Sequence, residues 1–252
     1  MTLLLLGGTA DARRLAMRLH RRSIAVIYSV AGLVRRPDLE CRVVSGGFSQ
    51  FGGLVKYIKA QKIGAIMDVT HPYASTMSEM AVDAAGECRI PLWRYHRPAW
   101  EAVADDDWVE FKEWGQLASM LLDKRAVFFT SGQLAQAFVD QLYAQLDGRE
   151  QLLVLRTAIK PELQQLESMI WLQDIGPFNI DQERNIMLEY GIDALVSKNS
   201  GGSATRAKLA VARERAIPVY MLKRPLLSAA DQQFTDIDHC FDFVTGQLGK
   251  TG

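Results

Sequence analysis

Leu3-Leu4-Leu5-Leu6 runs straight into Gly7-Gly8-Thr9-Ala10-Asp11-Ala12-Arg13. An apolar strand, a glycine turn and a helix start, in that order, can hold a phosphate. Glycines let the anion approach the backbone, and the first turn of a helix offers N–H groups at the positive end of its dipole. The run is not G-x-G-x-x-G, because Ala10 and Ala12 stand where later glycines belong. Thr9 acting only as a helix N-cap is the structural alternative. A second strand ends near Ser29. A site for NAD usually places Asp or Glu there, for the ribose hydroxyls. This chain has Ser29-Val30-Ala31-Gly32-Leu33-Val34-Arg35-Arg36 instead. Arginines without a carboxylate suit a 2′-phosphate and predict NADPH (NADP+); two solvated loop arginines are the bland alternative.

Further strand ends carry reactive or charged groups. Ser45-Gly46-Gly47-Phe48 follows a third strand, where glycines again permit close approach, although a plain turn explains them nearly as well. Asp68-Val69-Thr70-His71-Pro72-Tyr73 closes a fourth strand. His71 and Tyr73 are its potential proton donors, against the rule that a lone histidine is more often structural. Arg94 and Arg97 flank Tyr95 and His96, and present fork-shaped donors for carboxylates or phosphates, or else mark a joint between domains. In the second half, Thr130-Ser131-Gly132 follows a strand, Arg156 ends another, and Gly176-Pro177-Phe178 precedes a helix carrying Glu183. Ser197-Lys198-Asn199-Ser200-Gly201-Gly202-Ser203-Ala204-Thr205-Arg206-Ala207-Lys208 repeats the order of strand, glycine loop and helix. Thr205 and Lys208, three apart, share a helix face. This is a second anion cradle but not a Walker A loop. Lys223-Arg224-Pro225 closes the last strong strand.

The elements that position these groups follow from hydrophobic pattern. Apolar runs at 2–6, 24–29, 41–45, 64–69, 90–95, 126–130, 151–156, 169–174, 193–197 and 217–222 have strand length and are apolar throughout, as in parallel sheets covered on both faces. Helical patterns lie between them, near 10–21, 52–61, 74–88, 114–123, 133–146, 180–190 and 203–215. The alternation predicts right-handed βαβ units and an α/β fold of two Rossmann-like, doubly wound halves, with a ligand cleft between them at the strand carboxyl ends. The first half spans 1–98 and the second 99–252, joined through the acidic stretch 101–113. A helix-like segment from 231 could pack on either.

Composition sets outer limits. The 252 residues carry 29 basic and 29 acidic side chains. The zero hides fourteen basic against seven acidic residues up to Pro98, and fifteen against twenty-two beyond it. No apolar run approaches the ~20 residues of a membrane span. MTLLLLGG lacks a basic leader and reads as a buried strand. Three cysteines and four histidines show no metal-ligand spacing. A cytoplasmic, metal-free protein is the expectation, and the scattered arginines of the first half lack the interleaved aromatics of a nucleic-acid surface.

The ordered set is more distinctive than any member. GGTADAR, GGF, DVTHPYA, the stretch 94–98, TSG, GPF, SKNSGG-x-x-T-x-x-K and KRP together resemble the precorrin-6A reductase family of cobalamin biosynthesis, over about residues 2–225. The resemblance implies an NADPH-dependent enzyme that reduces one ring double bond of precorrin-6A to give precorrin-6B. It implies that Gly7, Gly8, Thr9 and Ala10 face the cofactor phosphates. Ser29, Ala31, Gly32, Arg35 and Arg36 would lie along the ribose side. Gly46, Gly47, Phe48, Thr70, His71 and Pro72 would border the cofactor. Tyr73, Ser131, Gly132, Lys198, Asn199, Ser200, Gly201, Gly202, Thr205 and Lys208 would hold a polycarboxylate tetrapyrrole, with Arg94, Arg97, Arg156 and Arg224 as spaced cations. The family usually has Ala-Gly-Arg after the second strand; Ala31-Gly32-Leu33 departs from it, with Arg35 and Arg36 displaced along the chain. A cobalt-containing substrate with NADH is one alternative. A short-chain oxidoreductase is another, opposed by the lack of Tyr-x-x-x-Lys, since Tyr57 is followed at i+4 by Gln61. An NADP-sensing regulator is a third, opposed by the second cradle.

Overall fold

The computed structural model describes residues 1–31 and 37–249; Gly32, Arg35 and Arg36 of the expected cofactor set lie outside the described residues. The first strand, β1 (Thr2–Leu6), is almost wholly buried along its four leucines, the signature of a strand covered on both faces. Helix α1 (Ala10–Arg21) buries Ala12, Leu15, Ala16 and Leu19, one apolar stripe at i, i+3, i+4 and i+7. There follow β2 (Ala25–Val30), β3 (Arg42–Ser45), a short 3-10 turn (Phe48–Phe51), α2 (Leu54–Gln61), β4 (Ile63–Asp68), α3 (Ser75–Cys88) and β5 (Leu92–Tyr95).

The second series is β6 (Trp108–Phe111), α4 (Trp114–Met120), β7 (Ala126–Phe129), α5 (Gln136–Leu146), β8 (Leu152–Thr157), β9 (Ile170–Gln173), α6 (Ile180–Glu189), β10 (Ala194–Lys198), α7 (Ala207–Glu214) and β11 (Val219–Leu222). The chain then adds β12 (Gln232–Phe234) and α8 (Ile237–Leu248). Two six-stranded parallel sheets result, ordered β12-β5-β4-β1-β2-β3 and β6-β11-β10-β7-β8-β9. Each is an α/β sheet wound in two directions. The winding reverses between β1 and β4 in one sheet and between β7 and β10 in the other, and such switch points are where α/β folds bind ligands.

The sixth strand of each sheet is out of sequence. β6 precedes the other strands of its sheet, and β12 comes after the whole second series. The chain therefore divides into Met1–Pro98 with everything from Pro225 onward, and Ala99–Arg224. On these boundaries the first unit holds fifteen basic and eleven acidic residues, and the second fourteen and eighteen. The charge asymmetry is smaller than the linear split implies, because the returning segment brings four aspartates. Two expectations are corrected. The acidic link 101–113 contains β6, an edge strand with only Phe111 fully buried, so it lacks an apolar run. The stretch from 231 begins not as helix but as β12, which pairs with β5 and is half exposed.

Helix α8 completes the first core. Cys240, Phe241, Val244 and Leu248 join the buried face of α1 together with Trp93 and Tyr95. Arg18 lies 4.1 Å from the Phe241 ring centroid. Among the described residues no helix is long and apolar enough to cross a membrane. Replacing Phe241 by Ala should cost about 3 kcal/mol of unfolding free energy. Urea denaturation followed by circular dichroism checks this, and an unchanged midpoint would separate α8 from the first core.

Candidate functional site

At the first switch point β1 delivers the glycine turn. The Thr9 hydroxyl caps α1 by accepting the Ala12 N–H at 3.0 Å, and it donates to the Val69 carbonyl at 3.0 Å. One side chain therefore both starts the helix and fastens it to the end of β4. Gly8 has φ +110, which only glycine adopts readily, and among the described residues nothing lies within 4 Å of where a Cβ would stand. Its N–H donates to the phenol oxygen of Tyr28 at 2.9 Å. Tyr28 was not among the residues singled out; a lone aromatic one place before Ser29 was its only sequence signal. Ser29 itself is buried, and its carbonyl accepts the Gly7 N–H at 2.8 Å. Gly46 has φ +93, but Phe48 is packed into the core against Tyr57, with ring centroids 5.2 Å apart. Phe48 thus supports the turn from behind rather than bordering an open site.

Asp68 organises the end of β4. It is wholly buried and accepts hydrogen bonds from the Thr70 N–H, the Thr70 hydroxyl, the Ser78 hydroxyl and Arg94 Nε, at 2.7–3.1 Å. Arg94, expected to face a ligand, is 1% exposed and held inside by Asp68 and by the Ser228 carbonyl at 2.6 Å. A guanidinium leaves water only where carboxylate and carbonyl acceptors replace it. His71 and Tyr73 stay half-buried beside each other, their ring centroids 5.7 Å apart, and the Tyr73 N–H donates to His71 Nδ1 at 3.3 Å. Arg97 pairs with Asp11, in the first turn of α1, at 3.1 Å. A crevice at this edge, too narrow to admit a water molecule, is lined by Thr9, Asp11, Thr70, Pro72, Tyr95 and Arg97, among others.

The second switch point repeats the plan with different chemistry. The Thr130 N–H and hydroxyl both donate to the Val196 carbonyl at 2.9 Å. Lys208 Nζ donates to the Thr130 hydroxyl oxygen at 2.8 Å and is buried. Desolvation, with the Arg156 guanidinium nearby, pushes the Lys208 pKa down to about 7, while Glu183 opposes the shift. Arg156 is also turned inward: it pairs with buried Glu183 at 2.8 Å and stacks on Phe178, 3.7 Å from the ring centroid. The Asn199 side chain clasps the backbone of Trp100, accepting its N–H at 2.7 Å and donating to its carbonyl at 2.9 Å. Arg224 Nε donates to the Asn199 carbonyl at 2.8 Å. Arg156, Asn199 and Lys208, expected to hold a ligand, thus brace the loops from within. Ser131 is buried, and its hydroxyl has no hydrogen-bond partner among the described residues. The edge keeps Gly132 with φ +82, Lys198, Ser200 hydrogen-bonded to Thr205, Gly201 with φ +71, and Gly202. Burial lowers the Lys198 pKa. A groove of about 670 Å³ lined by Trp100, Trp108, Phe178, Ile180, Leu209 and Arg206, among others, had no sequence signal.

The family described as Precorrin-6x reductase CbiJ/CobK matches residues 2–245. The chain belongs to that family. It is 36% identical over 239 residues to the Precorrin-6A reductase of Rhodococcus erythropolis, covering 93% of this chain and 94% of that protein. Identity to the Precorrin-6A reductase of Mycobacterium tuberculosis is 33% over 252 residues, 96% of this chain and 97% of that one. The solved structure named CobK precorrin-6A reductase superimposes with a TM-score of 0.85 at 27% identity, over 99% of this chain and 97% of that chain. The motif set that suggested the precorrin-6x reductase family therefore pointed to the right one, and both wound sheets belong to its fold.

Lys208 makes a testable cost. Its pKa is about 7 in the fold against 10.5 when free. Between those values the unfolded chain holds a proton that the folded chain lacks, so stability rises with pH across that window, and the full penalty applies below pH 7. Lys208→Met should stabilise the protein by roughly 1–3 kcal/mol at pH 7, and the gain should shrink toward pH 10.5. Chemical denaturation at both pH values tests this; a destabilised variant at pH 7 would contradict it.

Proposed function

We propose that this chain is a precorrin-6A reductase of cobalamin biosynthesis that uses NADPH to reduce one ring double bond, giving precorrin-6B. Membership of a reductase family carries the reading. The glycine turn and helix start at the first switch point give the nicotinamide cofactor a place. The residues present fit such a group. Among the described residues nothing crowds the place of a Gly8 Cβ, and the N–H groups of Thr9, Ala10 and Asp11 have no acceptor within the helix. Arg97 offsets the Asp11 carboxylate at that helix mouth, which would otherwise repel phosphate. When bound, the nicotinamide supplies a hydride equivalent.

The protein's part is orientation and one proton. Gly46, Gly47 and Thr70 to Pro72 border the cofactor. A proton must reach the carbon next to the one reduced. His71 Nδ1 accepts the Tyr73 N–H, which leaves Nε2 as the ring atom through which a protonated imidazole would deliver its proton. Tyr73 Oη is the other donor. In the second unit, Gly132, Lys198, Ser200 to Gly202, Thr205 and Arg224 form the edge that takes the tetrapyrrole carboxylates, while Arg156 and Lys208 hold that architecture from inside; Arg94 has the same internal role in the first unit.

Single turnover of precorrin-6A with 4-deuterated NADPH should place one deuterium on a ring carbon of the product. Mass spectrometry showing none would end the hydride assignment. Turnover with NADH should be slower at equal concentration. Lys198→Ala should raise KM for the tetrapyrrole about tenfold, the size of one lost charge-assisted contact, and leave KM for NADPH near its original value. The reverse pattern would move the substrate to the other unit.

A further inference from the structure

The glycine pair after β1 does two different jobs. Gly8 is needed for its backbone, with φ +110 and, among the described residues, nothing near the place of a Cβ. Gly7 has no such conformation. A Cβ there would meet the end of the Tyr28 ring at 2.3–2.5 Å, a collision with carbon atoms and the hydroxyl alike. Gly7 is therefore glycine because Tyr28 lies across it. Tyr28 stands on β2 opposite Leu5 of β1, has no exposed surface, and packs in the cluster of Leu3, Leu5 and the α1 stripe. Such a fixed ring cannot swing away, so its oxygen is an immobile acceptor.

That acceptor takes the Gly8 N–H at 2.9 Å. Burial raises the Tyr28 pKa, so the group stays a neutral phenol at ordinary pH. In a glycine turn of this kind a loop amide is an obvious donor for phosphate. Here it is already committed, and the Ala12 N–H is committed to Thr9. The donors left for an anion are the N–H groups of Thr9, Ala10 and Asp11.

We propose that Tyr28 is a positioning residue for cofactor binding: its phenol oxygen holds the Gly8 amide, sets the shape of the turn, and directs the dinucleotide phosphates to the first-turn amides of α1. This rests on the nicotinamide reading above. Tyr28 acts through Gly8 and does not itself meet the ligand. Removal of the oxygen alone should loosen the turn without emptying the core.

The test is Tyr28→Phe in the full chain, with NADPH fluorescence titration, steady-state kinetics and thermal unfolding. The dissociation constant and KM for NADPH should rise about three- to tenfold, the usual yield of one hydrogen bond. The loss should fall on NADPH binding rather than on kcat or on KM for the tetrapyrrole, with the unfolding temperature little changed. Gly7→Ala should weaken NADPH binding more, and less so in a Tyr28→Val background, where the ring is gone. An unaltered NADPH dissociation constant in Tyr28→Phe overturns the role of Tyr28. Parallel loss in every kinetic parameter together with a lowered unfolding temperature also overturns it, since the residue is then merely part of the core. Wild-type protein that binds neither NADPH nor NADH overturns the functional reading and this inference with it.

Discussion

Asp68 is a carboxylate at the end of a central strand with no exposed surface and four hydrogen-bond donors around it. An isolated charge in that position would cost several kcal/mol, and it is tolerable only because Arg94 and three neutral donors replace water. Those donors come from the loop after β4, from α3 and from β5, so one group fixes the mutual placement of three elements. Arg94 carries the constraint onward to the Ser228 carbonyl, and the Ser228 N–H donates to Glu79 on α3. The returning C-terminal chain is thereby tied to the same anchor. His71 and Tyr73 hang from a segment whose root cannot shift without exposing a buried ion pair.

The two switch points share a device. In each, a threonine placed after the first wound strand donates its hydroxyl to a carbonyl of the neighbouring crossover strand: Thr9 to Val69 in one unit, Thr130 to Val196 in the other. The bond closes the sheet where the winding reverses and where backbone groups would otherwise lose their partners. Beyond that the units diverge. The first leaves an open glycine turn and helix amides at its edge. The second backs its loop with buried ions, Lys208 behind Thr130 and Arg156 paired with Glu183. Such a framework costs stability, and that cost is reasonable only where loop geometry matters more than maximal stability.

Electrostatics followed placement rather than totals. Net charge over the linear halves overstated the contrast, because four aspartates of the C-terminal segment belong with the first unit. Several strand-end cations proved to be internal supports. Arg97 is the instructive case: it pairs with Asp11 in the first turn of α1, so its charge is partly spent within its own unit.

Local pattern was sufficient for much of this. The leucine run, the α1 stripe, the Thr9 cap and the strand–helix alternation are decided by neighbours within a turn or two, so period and residue type expose them directly. The family was legible for the same reason, since its motifs are short loops at strand ends. Edge strands β6 and β12 escaped because a half-exposed strand carries no apolar run. The orientation of Arg94, Arg156 and Lys208 escaped because a cation at a strand end turns outward or inward according to partners far along the chain. Arg94 finds Ser228 134 residues away, and Lys208 finds Thr130 78 residues away. Tyr28 is the same lesson at shorter range: its type belonged to the sequence, but its grip on Gly8 exists only once β1 and β2 lie side by side.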